Sequence, residues 1–435
     1  MHPLDRRRFM QHCALAGAGA LITARYAFAG LERTDARFVC VILRGALDGL
    51  AAVPPHGDPD YARLRRELAV AAPGQPDGAL ALDGTFGLHP ALKFLHESYL
   101  AKELLVLHAV ASPYRERSHF DGQDVLENGT VTAHSSQSGW LNRALAALPK
   151  NALRGREAGV ALGQNIPLLM RGPAPVASWS PSVLPNLNQD TLQRIADRYA
   201  SDPLLASRLA DALATDAIAA EARAGGDMDA AMAAAGAPGA PAGISQAPGA
   251  AGGQAPPGGP GRNAGGYVET VRTAAGFLKR DDGPAVAVFD TTGWDTHANE
   301  GGGQGQLAAR LGALDGALRI LKDQLGETWR RTAVLVVTEF GRTAAANGTR
   351  GTDHGTGAAA FLAGGAVAGG RVQADWPGLA AKSLYEGRDL RPTADLRSVM
   401  KGVLAEHLGV PLPALDRDVF PQSAGARPLG GLIRA

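Results

Sequence analysis

TAVLVVTEFGRTAAANGTRGTDHGTGAAAFLAGGAVAGG, residues Thr332 to Gly370, reads as a buried strand, a polar loop and a second short apolar run. The strand is apolar and β-branched over Ala333 to Thr338, the pattern of a strand covered on both faces, and it ends in an acid, Glu339. The Gly/Asn/Thr loop that follows carries Arg342, Asp353 and His354. Acid, loop, acid and histidine make a candidate metal site.

Upstream, the same grammar recurs. Leu307, Leu311, Leu314, Leu318, Leu321 and Leu325 are spaced by three and four residues, which predicts an amphipathic helix with its leucine stripe on a sheet. Before it, Ala285 to Phe289 is a short buried strand that runs into Asp290 and then Gly293-Trp294-Asp295-Thr296-His297. Strand, helix and strand in succession predict a parallel crossover, and therefore an α/β protein.

Two further strands precede these. Phe38 to Leu43 empties into Gly45-Ala46-Leu47-Asp48-Gly49, and Leu104 to Val110 empties into Ser112, Arg115, Arg117, Ser118, His119 and Asp121. Asp48 reads equally as a turn residue and as a metal ligand, because open α/β sheets bind ligands beyond the carboxyl ends of their strands. Ser118 and His119 suit a nucleophile with its base or a ligand, and equally a helix cap with a surface histidine.

In a parallel sheet, strand ends about 4.8 Å apart lie along one edge, so the four polar clusters are expected to converge. Crowded carboxylates repel, and a buried set of Asp48, Asp295, Glu339 and Asp353 needs a cation. With His297 and His354 added, the donor set favours zinc, manganese or iron over the all-oxygen shells of magnesium or calcium, which stay open as alternatives. A divalent ion is expected.

The chain has 435 residues, enough for a large core, and 43 Lys and Arg against 42 Asp and Glu leave a net charge of +1. No global basic field points to nucleic acid. Residues 1–29 read as a twin-arginine signal peptide: Arg6, Arg7 and Arg8 precede a modestly apolar run, and Ala27-Phe28-Ala29 fits a cleavage site. That run is too short for a comfortable membrane span. The expected partner in export is the twin-arginine translocase, and the expected destination is the periplasm or the medium. Cys13 lies inside the signal, leaving Cys40 as the single mature cysteine, a small buried hydrophobe in its apolar context.

Residues 30–435 are expected to form one domain. Within it, 224–266, rich in Gly, Ala and Pro, reads as a disordered insertion that buries too little apolar surface to offset its ordering entropy. Helices are expected over Gly87 to Glu103, Ser138 to Leu148, Asp190 to Arg223, Tyr267 to Lys279 and Leu396 to Leu408. A strand and turn are expected over Gly159 to Met170, and Asp389, Arg391, Asp395 and Arg397 as a charged loop and cap.

The ordered set RGALDGL, FGLHPAL, SHFDGQDVLENG, GWDTHANE, VVTEFGRT, GTDHGTG, EGRDLRPTADLR and VFPQ resembles the exported bacterial family of domain of unknown function 1501 over most of the mature chain. That family is similar in turn to the alkaline phosphatase and sulfatase superfamily. The resemblance implies an α/β/α sandwich around a mostly parallel sheet, with one or two divalent metal ions at the strand ends. It implies that Asp48 is the first-strand ligand, that Asp295 and His297 are a later ligand pair, that Glu339 is the acid of the next strand, and that His354, with Asp353, closes the set.

By the same resemblance the nucleophile region lies around Ser118, and the activity is hydrolysis of a phosphate or sulfate ester, small or polymer-borne, with His119, Arg115 or Arg342 on the anionic group. Two departures stand out: Glu339-Phe340 replaces the Asp-His common in phosphatase-like relatives, and only Thr296 separates Asp295 from His297. Neither cysteine falls in a strand-end loop, which argues against a formylglycine sulfatase. The rival expectation is a non-catalytic envelope or extracellular binding protein on the same fold.

Overall fold

The computed structural model describes residues 35–149, most of 152–220, and 260–434. The signal-peptide expectation and the greater part of the 224–266 insertion lie outside the described residues. Within them a nine-stranded, mostly parallel sheet is built from β1 (Arg37–Arg44), β2 (Leu104–Ala111), β3 (Gly159–Leu162), β4 (Val176–Trp179), β5 (Val286–Thr292), β6 (Thr332–Thr338), β7 (Ala358–Ala363), β8 (Arg371–Gln373) and β9 (Ala394–Asp395). The spatial order is β8-β2-β7-β6-β1-β5-β3-β4, with β9 alongside β2. β1 sits at the centre, Cys40 opposite Val288 of β5 on one side and Leu335 of β6 on the other.

Successive side chains of a strand point to opposite faces, and β1 divides accordingly. Val39, Val41 and Leu43 pack into one core, while Phe38, Cys40 and Ile42 pack into a second on the reverse face. The first core is covered by α1 (Lys93–Leu100), α4 (Pro260–Lys279) and α5 (Gln306–Leu325). The second is covered by α2 (His119–Asn128), α3 (Trp140–Ala146) and α6 (Leu396–Leu408). Helices therefore lie on both faces of the sheet. Cys40 is fully buried and free, and burial pushes its thiol up, so it behaves as a hydrophobe.

All six leucines of the α5 stripe are 1% exposed or less. Burial of each contributes about 1.5 to 3 kcal/mol of transfer free energy, so this helix is fixed to the sheet by side-chain packing more than by backbone propensity. α6 is capped by Asp395, whose carboxylate accepts from Arg397 N at 2.8 Å, and it ends at Gly409 in the left-handed region, as a charged loop and cap require. The helix expected over Gly87 to Glu103 is confined to α1, because Gly87 and Leu88 pair antiparallel with Leu80 and Ala81. α4 starts at Pro260 instead of Tyr267.

β7 alone runs against its neighbours: it pairs antiparallel with both β2 and β6, and every other pairing in the sheet is parallel. The β6–β7 connection, residues 339–357, therefore returns along the edge at which β1, β2 and β5 also end. Four loops from distant parts of the sequence meet there. No helix among the described residues is long and apolar enough to cross a membrane.

Candidate metal centre

α2 begins directly after the loop from β2, with Ser118 at its N-cap and Gly129 in the left-handed conformation closing it. This places His119 on the helix's first turn at the carboxyl edge of the sheet. Its Nδ1 lies 2.8 Å from Glu339 Oε1, and its Nε2 is buried without a hydrogen-bond partner, 3.4 Å from Asp295 Oδ2.

His354 is oriented by the backbone. Its Nδ1 lies 2.9 Å from the Arg117 carbonyl oxygen, which can only accept, so the ring proton is on Nδ1 and the lone pair on Nε2. Arg117 holds φ at 63°, a left-handed conformation that costs a non-glycine residue about 1 to 3 kcal/mol and aims that carbonyl at the ring. The Nε2 atom then sits 3.3 Å from Asp295 Oδ1 and 3.0 Å from His297 Nε2.

His297 repeats the arrangement: Nδ1 is 3.3 Å from Asp353 Oδ1, and Nε2 is 3.0 Å from Asp295 Oδ1. Each of the three imidazoles thus has its Nδ1 proton engaged and its Nε2 directed at one carboxylate. His297 Nε2 and His354 Nε2, 3.0 Å apart, both face Asp295 Oδ1, so a shared cation, a proton or a metal ion, suits the space between them. His119, Asp295 and His354 form a group able to hold a metal ion, their ligand atoms all within 4.8 Å of one another. The buried, unpartnered Nε2 of His119 fits the same reading, since a metal-ligating histidine almost always gives its other ring nitrogen to a carboxylate or carbonyl.

Charge is tuned accordingly. The hydrogen bond to Glu339 raises the His119 pKa, whereas burial, followed by the neighbouring charge of His119, lowers that of His354. Burial works to raise Asp295, but the hydrogen bond and charge of Arg342 outweigh it and keep the carboxyl below its ordinary range. Burial likewise opposes ionisation of Glu339, and its hydrogen bonds, that from His119 foremost, bring it down. A hydrogen bond from Asn347 keeps Asp353 ionised.

Glycines let the loops close. At Gly351 an added Cβ would stand 2.4 Å from the His297 carbonyl carbon and oxygen, and at Gly45, whose φ is +119°, 2.7 Å from Asp295 N. Larger residues at either position would push the Asp295–His297 segment outward.

Several expected residues occupy different roles. Asp48 is not beside this cluster's donors: it is fully buried, its Oδ1 accepts from Leu50 N and Ala51 N, and its Oδ2 is bound to the buried guanidinium of Arg65. Its negative charge is compensated by Arg65. Glu339 stands behind the ligand atoms, where Oε1 accepts from Gly45 N, His119 Nδ1 and Gln123 Nε2, and Oε2 from Thr338 Oγ1.

Phe340, the other half of the departure from Asp-His, is buried and stacks on His119 with ring centroids 5.0 Å apart, and it also borders His354 at 5.4 Å. Arg342, expected on a substrate anion, is 2% exposed. It donates to Asp295 Oδ1 at 2.5 Å, to Thr352 Oγ1 at 3.1 Å and to the Thr352 carbonyl. Asp353 acts through His297, and the Ser118 hydroxyl does not cap α2.

Two contributors escaped sequence reasoning. Gln123 lies within the SHFDGQDVLENG motif, but its role depends on α2 bringing it to Glu339 at the end of β6, which no local pattern marks. Glu300, at the end of the GWDTHANE motif, ties the loops together from below, and its position in a motif was the available signal.

The profile of a family described as "Protein of unknown function (DUF1501)" matches residues 98–413. The chain belongs to the DUF1501 family. The matched segment carries His119, Asp295, His297, Glu300, Glu339 and His354, whereas β1 and Asp48 precede it. Among curated proteins, none matches this chain.

Proposed function

We propose that this DUF1501 protein is an exported, metal-dependent hydrolase of phosphate or sulfate esters, built on an alkaline-phosphatase-like sandwich. The observation that carries the reading is the convergence of three histidine Nε2 atoms on Asp295, each ring held by an acceptor at Nδ1. His119, Asp295 and His354 hold the ion, and His297 borders it. Nitrogen-rich donors favour zinc, manganese or iron.

A divalent ion there supplies a Lewis acid that polarises the ester and stabilises the developing charge. The chain's own residues set the rest. Glu339 and the Arg117 carbonyl fix the His119 and His354 rings, and Arg342 keeps Asp295 ionised and aimed. Asp295 and the three histidines are partly exposed, so the cluster is reachable from solvent. Ser118, next to His119 and with its hydroxyl uncommitted to the helix cap, is the nucleophile in this reading. Export by the twin-arginine translocase into the periplasm or medium belongs to the same reading and rests on the amino-terminal segment.

A specific observation favours a second reading, a metal-stabilised binding protein without turnover. Arg342, one of the residues expected to bind the anionic group, is buried and committed to Asp295. A panel of aryl and alkyl phosphate and sulfate esters, assayed with metal-loaded and chelated protein, separates the two. Turnover lost in His354→Ala supports the hydrolase. Metal binding with no turnover on any ester supports the binding protein.

A further inference from the structure

Below the cluster lies a carboxyl group that touches no ligand. Glu300 is fully buried, and its Oε2 accepts two hydroxyl hydrogen bonds, from Thr296 Oγ1 at 2.9 Å and from Thr352 Oγ1 at 2.8 Å. Thr296 is the residue between Asp295 and His297. Thr352 directly precedes Asp353 and His354. One oxygen therefore bridges the two segments that supply most of the site, although they are far apart in sequence.

Backbone pairing reinforces the bridge. Glu300 N donates to the Arg350 carbonyl at 2.9 Å, Thr352 N to the Thr296 carbonyl at 3.1 Å, and Asn299 N to the Thr349 carbonyl at 3.0 Å. The Thr352 hydroxyl, having given its proton to Glu300, accepts from Arg342 Nε at 3.1 Å, and Arg342 Nη1 reaches Asp295. The chain Glu300–Thr352–Arg342–Asp295 sets the height of the carboxylate toward which all three histidines point. On its other side Glu300 Oε1 is 3.4 Å from Arg65 Nη2, and burial, followed by the neighbouring charge of Asp48, pushes its carboxyl up to about 8.

We propose that Glu300 is a positioning residue for the metal centre, whose Oε2 fixes the spacing between the Asp295–His297 and Asp353–His354 segments. The proposal rests on the reading of His119, Asp295 and His354 as metal ligands. Because the bridge needs an acceptor and no charge, glutamine serves in its place: the amide oxygen takes the two hydroxyls and the amide nitrogen faces Asp48. Alanine removes the bridge.

The test is titration of the chelated full chain with cobalt(II), read as a dissociation constant and as the visible absorption bands, which report ligand geometry. Glu300→Ala is expected to bind cobalt about 10- to 100-fold more weakly, with displaced bands, as the loss of an outer support typically produces. Glu300→Gln is expected to keep the wild-type bands and an affinity within about threefold of wild type by the same comparison. Should Glu300→Ala fail to fold, the Thr296→Val and Thr352→Val pair cuts the same two bonds and is expected to show the same weakening. Wild-type affinity and bands in Glu300→Ala, or in the valine pair, overturn the proposal, as does a Glu300→Gln protein as weak as the alanine variant. A wild-type chain that binds no cobalt overturns the metal reading itself.

Discussion

His119 Nδ1 stands 2.8 Å from Glu339 Oε1, and that contact turns the opposite ring nitrogen into the site. Glu339 is thereby an orienting acid. Glu339→Ala is expected to leave every proposed ligand in place and to weaken metal binding by about 10- to 100-fold, the usual effect of removing a histidine's partner. Competition with a chelator of known affinity measures it. An unchanged affinity removes Glu339 from the account.

Asp48 offers the opposite contrast. Asp48→Ala strips the buried Arg65 of its closest counter-charge, and breaking a buried pair by deleting one partner costs about 3 to 5 kcal/mol. Chemical denaturation should show that loss while metal stoichiometry stays at the wild-type value. Loss of metal from a folded Asp48→Ala protein would restore Asp48 as a ligand.

His108 is fully buried on β2, donating to the Val53 carbonyl, and burial pushes its pKa down to about 4. An unfolded histidine titrates near about 6.5. As pH falls from that value toward 4, the unfolded chain takes up the proton first, so stability is lost on acidification, by up to about 3 kcal/mol from this group. Buried His407, also lowered by burial, acts in the same direction. Denaturation of chelated protein between pH 7.5 and 5 should show the decline, and His108→Gln should reduce its slope by about 1 kcal/mol per pH unit. An identical slope in the variant contradicts the assignment.

Leu318 lies in the middle of the α5 stripe, 1% exposed. Leu318→Ala is expected to cost about 2 to 5 kcal/mol through lost transfer energy and a residual cavity. Because Leu318 lies about three turns along α5 from its first turn, where Leu307 N donates to the Glu300 carbonyl at 3.1 Å, cobalt affinity of the folded variant should match wild type. Urea denaturation and a cobalt titration together check both halves.

The central strands were legible because their signals are local: apolar β-branched runs at Phe38, Leu104, Ala285 and Ala333, and leucines at helical spacing, admit few alternatives, whereas Val176–Trp179, Arg371–Gln373 and Ala394–Asp395 are too short to carry such a pattern. Convergence of the loops followed from one geometric rule about parallel strands, and β7 preserved it by running the other way. What sequence could not assign was the depth of each polar residue at that edge. Asp48 and Asp295 look alike in a glycine-rich loop. Only the fold brings the Arg65 guanidinium to the first and three imidazoles to the second. Likewise, nothing local marks Glu339 as the acid behind a ring, since the His119 that it orients comes from a different strand end.

Elemental analysis of the protein, purified without chelators, beside His119→Ala and His354→Ala, bears on all of this at once. The expected result is at least one equivalent of a divalent transition metal per wild-type chain and its loss from both folded variants. A wild-type chain that carries no metal and takes none up when offered zinc, manganese or iron would contradict the metal centre proposed here.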